Sequence, residues 1–325
     1  MKAMVMAAGL GTRLRPLTYE VAKPMVPVVN RPIMEHILRL LARHGFGELI
    51  ANLHWFPEPI RGHFGDGSAF GVKLRFEFED ELLGTAGGVR NVRDFFGDDP
   101  FLVMAADALT DVDLAALAGA HAEHDGIATL AVKRVPNVSQ FGVVITGDDG
   151  RVQGFQEKPD PAEALSDLAN CMIYVLDPEV FDYFPDRAEV DFALDVFPAL
   201  LEHDVPFCVH VTDAYWNDVG SLPEYLQGNL DALTGAVAVE PAGEILNGDG
   251  SGLGAGIELS DTVLVGDGVR VGDGARIDGP AVLGPGSRIG AGAVIKESVL
   301  LPQAEVPAEA LLAGSIAGRR GALAL

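Results

Sequence analysis

Lys2-Ala-Met-Val-Met-Ala-Ala-Gly9-Leu-Gly11-Thr12-Arg13-Leu-Arg15-Pro16-Leu-Thr18, followed by Ala22-Lys23-Pro24-Met-Val-Pro27, is an apolar strand running into a basic, glycine-bearing turn. Glycines at 9 and 11 remove side chains where backbone N–H groups can turn toward a phosphate, and Arg13, Arg15 and Lys23 place fixed positive charge beside them. The turn suits a polyphosphate. It is neither of the two familiar phosphate loops. A Walker loop needs Gly-x-x-x-x-Gly-Lys-Ser/Thr, and a dinucleotide fingerprint needs a third glycine where Leu14 stands. A lone Gly-x-Gly often shapes nothing more than a strand-to-helix turn; the basic residues and the Lys23-Pro24 pair point further.

Outward from this stretch, strands and helices alternate. Ile33, Met34, Ile37, Leu38, Leu40 and Leu41 recur at helical spacing until Gly45. Leu49 to Leu53 reads as a strand, and Val72, Leu74, Phe76 and Phe78 alternate as another. Residues 87 to 96 read as helix, and Phe101 to Ala105 is a buried-strand run leading to Asp107. This order predicts an α/β fold with a mostly parallel sheet flanked by helices, and ligands gathered at the carboxyl ends of the strands. Gly9, Asp107 and Asp218 all follow strand-like runs.

The pattern changes near residue 233. From Leu253 every sixth residue is aliphatic, through Leu259, Val265, Val271, Ile277, Leu283, Ile289, Ile295 and Leu301. A period of six fits neither a helix stripe nor an alternating strand, whereas hexapeptide repeats mark a parallel β-helix.

Acidic residues outnumber basic ones 47 to 23, a net charge of −24, which argues against nucleic acid or an anionic membrane surface as partner. The same excess repels anionic substrates, so the cluster of Arg13, Arg15 and Lys23 carries more meaning than it would in a basic protein. No apolar run approaches the roughly 20 residues of a membrane span, and residues 3 to 8 are too short for a signal-peptide core. Cys171 and Cys208 lack metal-ligand spacing and read as reduced core thiols, consistent with a cytoplasmic protein.

Gly9-Leu-Gly11-Thr12-Arg13-Leu-x-Pro16-Leu-Thr18 with Lys23-Pro24 resembles the signature of the sugar-1-phosphate nucleotidylyltransferases, which join a nucleoside triphosphate to a sugar 1-phosphate and release pyrophosphate. Further matches follow in family order: Leu83-Gly84-Thr85-Ala86-Gly87-Gly88, Asp107, Glu157-Lys158-Pro159, Asn170 with Tyr174, and Trp216-Asn-Asp218-x-Gly220-Ser221. The resemblance implies a Rossmann-like nucleotidyltransferase domain over residues 1–232, a linker over 233–250, a left-handed β-helix over 251–305 and a tail over 306–325. Three hexads per turn would give about three turns.

Attack of a sugar phosphate oxygen on an α-phosphorus brings two polyanions together, so the site must neutralise charge and hold the groups in line. Magnesium, held by one or two carboxylates, suits that task, and Asp107 and Asp218 are the candidates; the resemblance assigns the same two aspartates. It also places Arg13 and Lys23 on the triphosphate, Lys158 on the sugar phosphate, Glu157 on sugar hydroxyls and Asn170 in the sugar pocket. The nucleotide is expected on Gly9, Gly11, Thr12 and Arg13, with backbone amides of Gly84, Thr85 and Gly87 approaching the base. Asp111 reads as a cap for the helix after it, Arg90 and Arg93 as that neighbourhood's polar helix face, and Trp216 as either pocket wall or core aromatic.

Glu79-Asp-Glu81-Leu-Leu-Gly84-Thr85 and the hexapeptide region look most like mannose-1-phosphate guanylyltransferases, and a carboxylate such as Glu79 or Glu81 could accept from the N1 and N2 donors of guanine. Relatives that use uridine or thymidine triphosphate with glucose or N-acetylhexosamine 1-phosphate carry similar stretches. Met172 stands where relatives usually have glycine, close to the expected sugar site, with enough bulk to reshape the pocket. Two rival classes differ in chemistry. A hexapeptide acyltransferase would use a histidine as base, yet the last histidine is His210, which leaves the β-helix to assembly or regulation and suggests a homo-oligomer. A non-catalytic regulatory subunit would have lost charged positions that Arg13, Lys23, Asp107, Lys158 and Asp218 retain.

Overall fold

The structure, a computed structural model, describes residues 1–248 and 253–325. A nine-stranded sheet forms the centre of the amino-terminal domain. Its strands are β1 (Lys2–Met6), β2 (Glu48–Leu53), β3 (Lys73–Phe78), β4 (Phe101–Ala105), β5 (Ala128–Arg134), β6 (Gly142–Thr146), β7 (Val152–Glu157), β8 (Leu168–Leu176) and β9 (Cys208–Val211). β1 lies between β2 and β4 and is parallel to both, and β3 extends the parallel run beyond β2. β8 departs from that direction. It runs antiparallel to β4 on one edge and to β5 on the other, and β9 then pairs with β5 in parallel. The β6–β7 hairpin joins β8 at Ala169, on the same edge as β4.

Alternation along β1 shows why helices cover both faces. Ala3 and Val5 point into one core with Ile37 and Leu41 of α1 (Ile33–Arg43), whereas Met4 points into a second with Val89 of α2 (Gly84–Asn91). Among the described residues no helix is long and apolar enough to cross a membrane.

The repeats form three faces of short parallel strands. One face stacks Thr262–Val265, Ala281–Leu283, Val299–Leu300 and Ser315–Gly318; the second begins at Glu258–Ser260 and the third at Arg270–Val271. Leu259 pairs with Ile277 and Ile277 with Ile295, a step of 18 residues, or three hexads, at each coil. Strands continue past 305 through Leu311–Ala313 and Ser315–Gly318, because Leu312 and Ala317 keep the stacking register, and a Gly321–Ala324 hairpin strand ends them. The stretch expected to be a tail is thus the last coil. Glu244–Asn247, inside the expected linker, pairs antiparallel with Thr262–Val265; the expected start of the β-helix at 251 lies outside the described residues.

The two domains share a core. Leu264, Val282, Val299 and Ile316, from the outer side of one β-helix face, are buried with Leu14, Val26, Val28 and Ile33 and with Tyr225 and Leu233 of α3 (Leu222–Thr234). Asn30 Nδ2 donates to the Leu283 carbonyl at 3.2 Å, and Arg320 pairs with Glu20. The β-helix therefore packs directly beneath the segment that carries Arg13 and Lys23.

Candidate active site

The chain leaving β1 is fixed from behind. Asn52 Oδ1 accepts the Ala7 N–H at 2.8 Å, and Asn52 Nδ2 donates to Glu79 Oε1 at 2.7 Å. Beyond it, Gly11 turns at φ 62°, where a side chain would be strained, and a Cβ there would come within 2.9 Å of the Lys23 Cβ. Thr18 Oγ1 donates to the Gly11 carbonyl at 2.7 Å and closes the turn. Gly9, Gly11, Thr12, Arg13 and Lys23 line one wall of a cleft of about 410 Å³.

A short ribbon brings the two aspartates to this wall. Leu109–Thr110 pairs antiparallel with Trp216–Asn217, so Asp107 just before one strand and Asp218 just after the other lie side by side. Lys23, only 7% exposed, sits between them: its Nζ is 2.6 Å from Asp107 Oδ2 and donates to the Asp218 carbonyl at 3.2 Å. Arg13 donates to Asp218 Oδ2 at 3.4 Å, and Asp218 Oδ1 accepts the Gly220 N–H at 3.1 Å. Burial, reinforced by the Glu224 carboxylate, pushes the Asp218 carboxyl above its usual value despite Lys23 and Arg13. Two oxygen donors around a cationic wall fit a hard ion such as magnesium.

Asn170, expected in the sugar pocket, does not line the cleft but stands behind Met172: its Nδ2 donates to the Tyr174 hydroxyl at 2.9 Å and its Oδ1 accepts the Met172 N–H at 3.0 Å. Burial drives the Tyr174 phenol well above its usual range, so it stays a neutral donor and acceptor. Met172 lines the cleft. Lys158 and Glu157 form an exposed ion pair of 2.5 Å at the end of β7 and do not reach the cleft wall.

The glycine-rich start of α2 is built around another backbone. A Cβ on Gly84 would collide with the Val190 carbonyl, which accepts the N–H groups of Ala86 and Gly87 at 2.9 and 3.0 Å. Those two amides are thus committed inside the protein, and of the expected base contacts Gly84 and Thr85 line the cleft while Gly87 does not. Thr85 Oγ1 donates to Asp191 Oδ2 at 2.8 Å. Glu79 lines the cleft, 3% exposed, with Oε2 accepting the Leu83 N–H at 3.2 Å, whereas Glu81 is exposed and off the wall.

Some readings of the sequence change. Asp113, not Asp111, caps the helix at Leu114–Ala122, its side chain accepting the Ala116 N–H at 2.9 Å. Asp111 instead holds two chain segments, accepting the Tyr215 and Ala238 N–H groups, each at 2.9 Å. Arg90 is more than polar surface: it donates to the Pro185 and Ala188 carbonyls and so fixes the loop delivering Glu189 and Asp191 to the cleft. Trp216 packs on Phe141 at 5.2 Å, as a core aromatic beside the site rather than a cleft wall. Asn52, Glu189 and Asp191 were not singled out in the sequence. Asn52 had a weak signal, a polar residue ending an apolar strand; the other two come from a loop whose place only the fold reveals.

Residues 2–235 match the nucleotidyl transferase family, and residues 262–297 match the bacterial transferase hexapeptide repeat. The chain belongs to the nucleotidyl transferase family. Among its members, a UTP–glucose-1-phosphate uridylyltransferase of Synechocystis is 42% identical over 72% of this chain and 64% of its own length. A mannose-1-phosphate guanylyltransferase of Mycobacterium tuberculosis is 35% identical over 78% of this chain and 72% of its own. The matched stretch is thus less than two thirds of the Synechocystis relative. HddC from Yersinia pseudotuberculosis, solved with GMP-PN, shares the fold at a TM-score of 0.61, with 24% identity, covering 70% of this chain and 97% of that one.

Proposed function

We propose that this protein transfers a nucleoside monophosphate from a nucleoside triphosphate to a sugar 1-phosphate, releasing pyrophosphate. The observation that carries this reading is Lys23, nearly buried, on the cleft wall with Asp107 and the Gly9–Arg13 turn and bonded behind that wall to the Asp218 carbonyl. The turn and Arg13 bind and orient the triphosphate. Lys23, anchored at Asp107, keeps a fixed positive charge where negative charge builds up at the reacting phosphorus. Asp107 and Asp218 would hold a magnesium ion, which when bound supplies further charge neutralisation. Lys158, paired with Glu157 outside the cleft wall, would have to leave that partner to meet the incoming sugar phosphate. No covalent enzyme intermediate is required, because positioning and electrostatics suffice for phosphoryl transfer.

For base and sugar, the leading pair is UTP with glucose 1-phosphate. The 42% identical uridylyltransferase supports it, and of the two carboxylates expected on guanine, Glu79 has both oxygens accepting protein N–H groups and Glu81 does not line the cleft. GTP with mannose 1-phosphate, the pair the sequence favoured, stands second on the 35% identical guanylyltransferase.

The test is magnesium-dependent pyrophosphate release over a grid of nucleoside triphosphates and hexose 1-phosphates. A dominant response to UTP with glucose 1-phosphate is expected. A guanosine–mannose response would reverse the ranking, and silence across the grid would refute nucleotidyl transfer.

A further inference from the structure

Met172 is a long side chain at φ 54°, in a region that disfavours any residue with a Cβ. Such strain persists only where the surroundings impose it, and it gathers at ligand sites. Here the imposing groups are identifiable. Asn170 Oδ1 holds the Met172 N–H, and Asn170 Nδ2 is itself tied to the buried Tyr174 hydroxyl. Pairing between β8 and β5 slips between Asn170 and Tyr174. On the other edge, β4 pairs with β8 only from Ile173 onward and β6 only at Ala169. Residues 171 and 172 are therefore unpaired on both edges of the strand, and Met172 lines the cleft beside Ala106 and Asp107.

Strand order fixes which end of the cleft this is. The phosphate turn follows β1, Asp107 follows β4, Met172 lies on β8, and Glu157–Lys158 end the β6–β7 hairpin beyond it. Met172 thus stands between the phosphate-binding wall and the lysine expected on the sugar phosphate. Its side chain is partly packed against the core that contains Tyr174 and Phe192, which limits its freedom to swing aside. A thioether offers sugar hydroxyls little hydrogen bonding, so at this position it contributes shape.

We infer that Met172 determines sugar specificity: its side chain closes the wall to a hexose 1-phosphate bearing an acylamino substituent and admits one bearing only hydroxyls. This inference rests on the sugar-1-phosphate reading above. It is tested by kcat/KM for the wild type, Met172→Ala and Met172→Gly on glucose 1-phosphate, mannose 1-phosphate and their 2-acetamido counterparts, with melting curves to confirm folding. The wild type is expected to favour the hydroxyl sugars at least 100-fold, Met172→Gly to narrow that ratio at least tenfold, and Met172→Ala to fall between. If Met172→Gly does not fold, Met172→Ala alone must narrow the ratio. A folded, active variant with an unchanged ratio would overturn the inference, as would a wild type that uses acetamido sugars equally well. A wild type inactive on every sugar 1-phosphate would instead bring down the transferase reading, and this one with it.

Discussion

Ending the chain at residue 242 is expected to yield an unstable protein rather than a smaller working enzyme. The repeats, read from sequence, were assigned to assembly or regulation, but one of their faces is part of the catalytic domain's own core. Leu264, Val282, Val299 and Ile316 are each at most 1% exposed and share a cluster with Leu14, Val28 and Tyr225. Each buried aliphatic side chain of this size contributes about 1.5–3 kcal/mol, so the four together contribute about 6–12 kcal/mol. That is comparable with the roughly 5–15 kcal/mol that holds a whole domain folded. Truncation also uncovers Leu14, next to Arg13, and loosens the phosphate turn. Scanning calorimetry of the full chain should show one cooperative transition, because a shared core couples the domains. The truncated chain should aggregate or melt far lower, and Val282→Asp, which buries an unpaired carboxylate in the same interface, should reproduce much of the loss. A soluble truncated chain with full turnover and a melting temperature within a few degrees of the intact protein would refute the reasoning.

Asp107→Asn and Asp218→Asn should each lower magnesium-dependent turnover by about 100-fold or more, and they should differ in stability. Asp107→Asn unpairs the nearly buried Lys23 and lowers the melting temperature, whereas Asp218→Asn removes a carboxylate that burial and Glu224 already disfavour and leaves it level or higher; equal melting shifts would contradict this contrast. Burial alone would raise the Glu35 carboxyl, yet Arg39, Arg31 and His63 bring it below its usual value. Its contribution is therefore complete above the unfolded carboxyl value of about 4.3 and disappears as the pH falls through the lower folded one. Glu35→Gln should cost about 3 kcal/mol at pH 7, with the gap closing in acid; a gap independent of pH would refute the pairing. His36, buried with Nε2 on the Val28 carbonyl, is depressed chiefly by burial, so the wild type should already lose stability as the pH drops below about 6.5. Asp111→Ala removes the acceptor of the part-buried Tyr215 N–H and of the exposed Ala238 N–H, which water can satisfy, and urea denaturation should show a loss of about 1–2 kcal/mol; an unmoved midpoint would show that neither bond matters.

What the sequence revealed follows the range of the forces involved. Local rules placed β1, α1, β3 and β4, because apolar periodicity records which face of each element meets the core. The six-residue period carried the β-helix, since each coil repeats the same burial. Lys23, Asp107 and Asp218 were found one at a time, and the Leu109–Thr110 ribbon with Trp216–Asn217 is the long-range pairing that unites them. Pairing across more than 100 residues leaves no local trace, and for the same reason Asp191 and Glu189 stayed hidden. Asp111 and Asp113 show the converse failure: both have the chemistry of a helix cap, and only the contact with Ala238 shows that Asp111 is used elsewhere. The shared core was not legible because a β-helix strand alternates inward and outward, and an aliphatic residue such as Val282 on the outward side declares a partner without naming it.

Charge ties these parts together. In a chain of net charge −24, a buried lysine is tolerable only where acceptors surround it, and Lys23 has two, the Asp107 carboxylate and the Asp218 carbonyl. Its ammonium carries three donors, so one remains for an incoming phosphate oxygen. Around it three carboxylates, Asp107, Asp218 and Glu224, face two cations, Lys23 and Arg13. On the proposed reading, a polyanion entering such a site would be repelled unless a hard cation entered too, and magnesium would suit the oxygen donors of the two aspartates. On the proposed nucleotidyl-transfer reading, the turn and Lys23 would receive the triphosphate, and Asp107 and Asp218 would make that reception depend on the metal arriving with it.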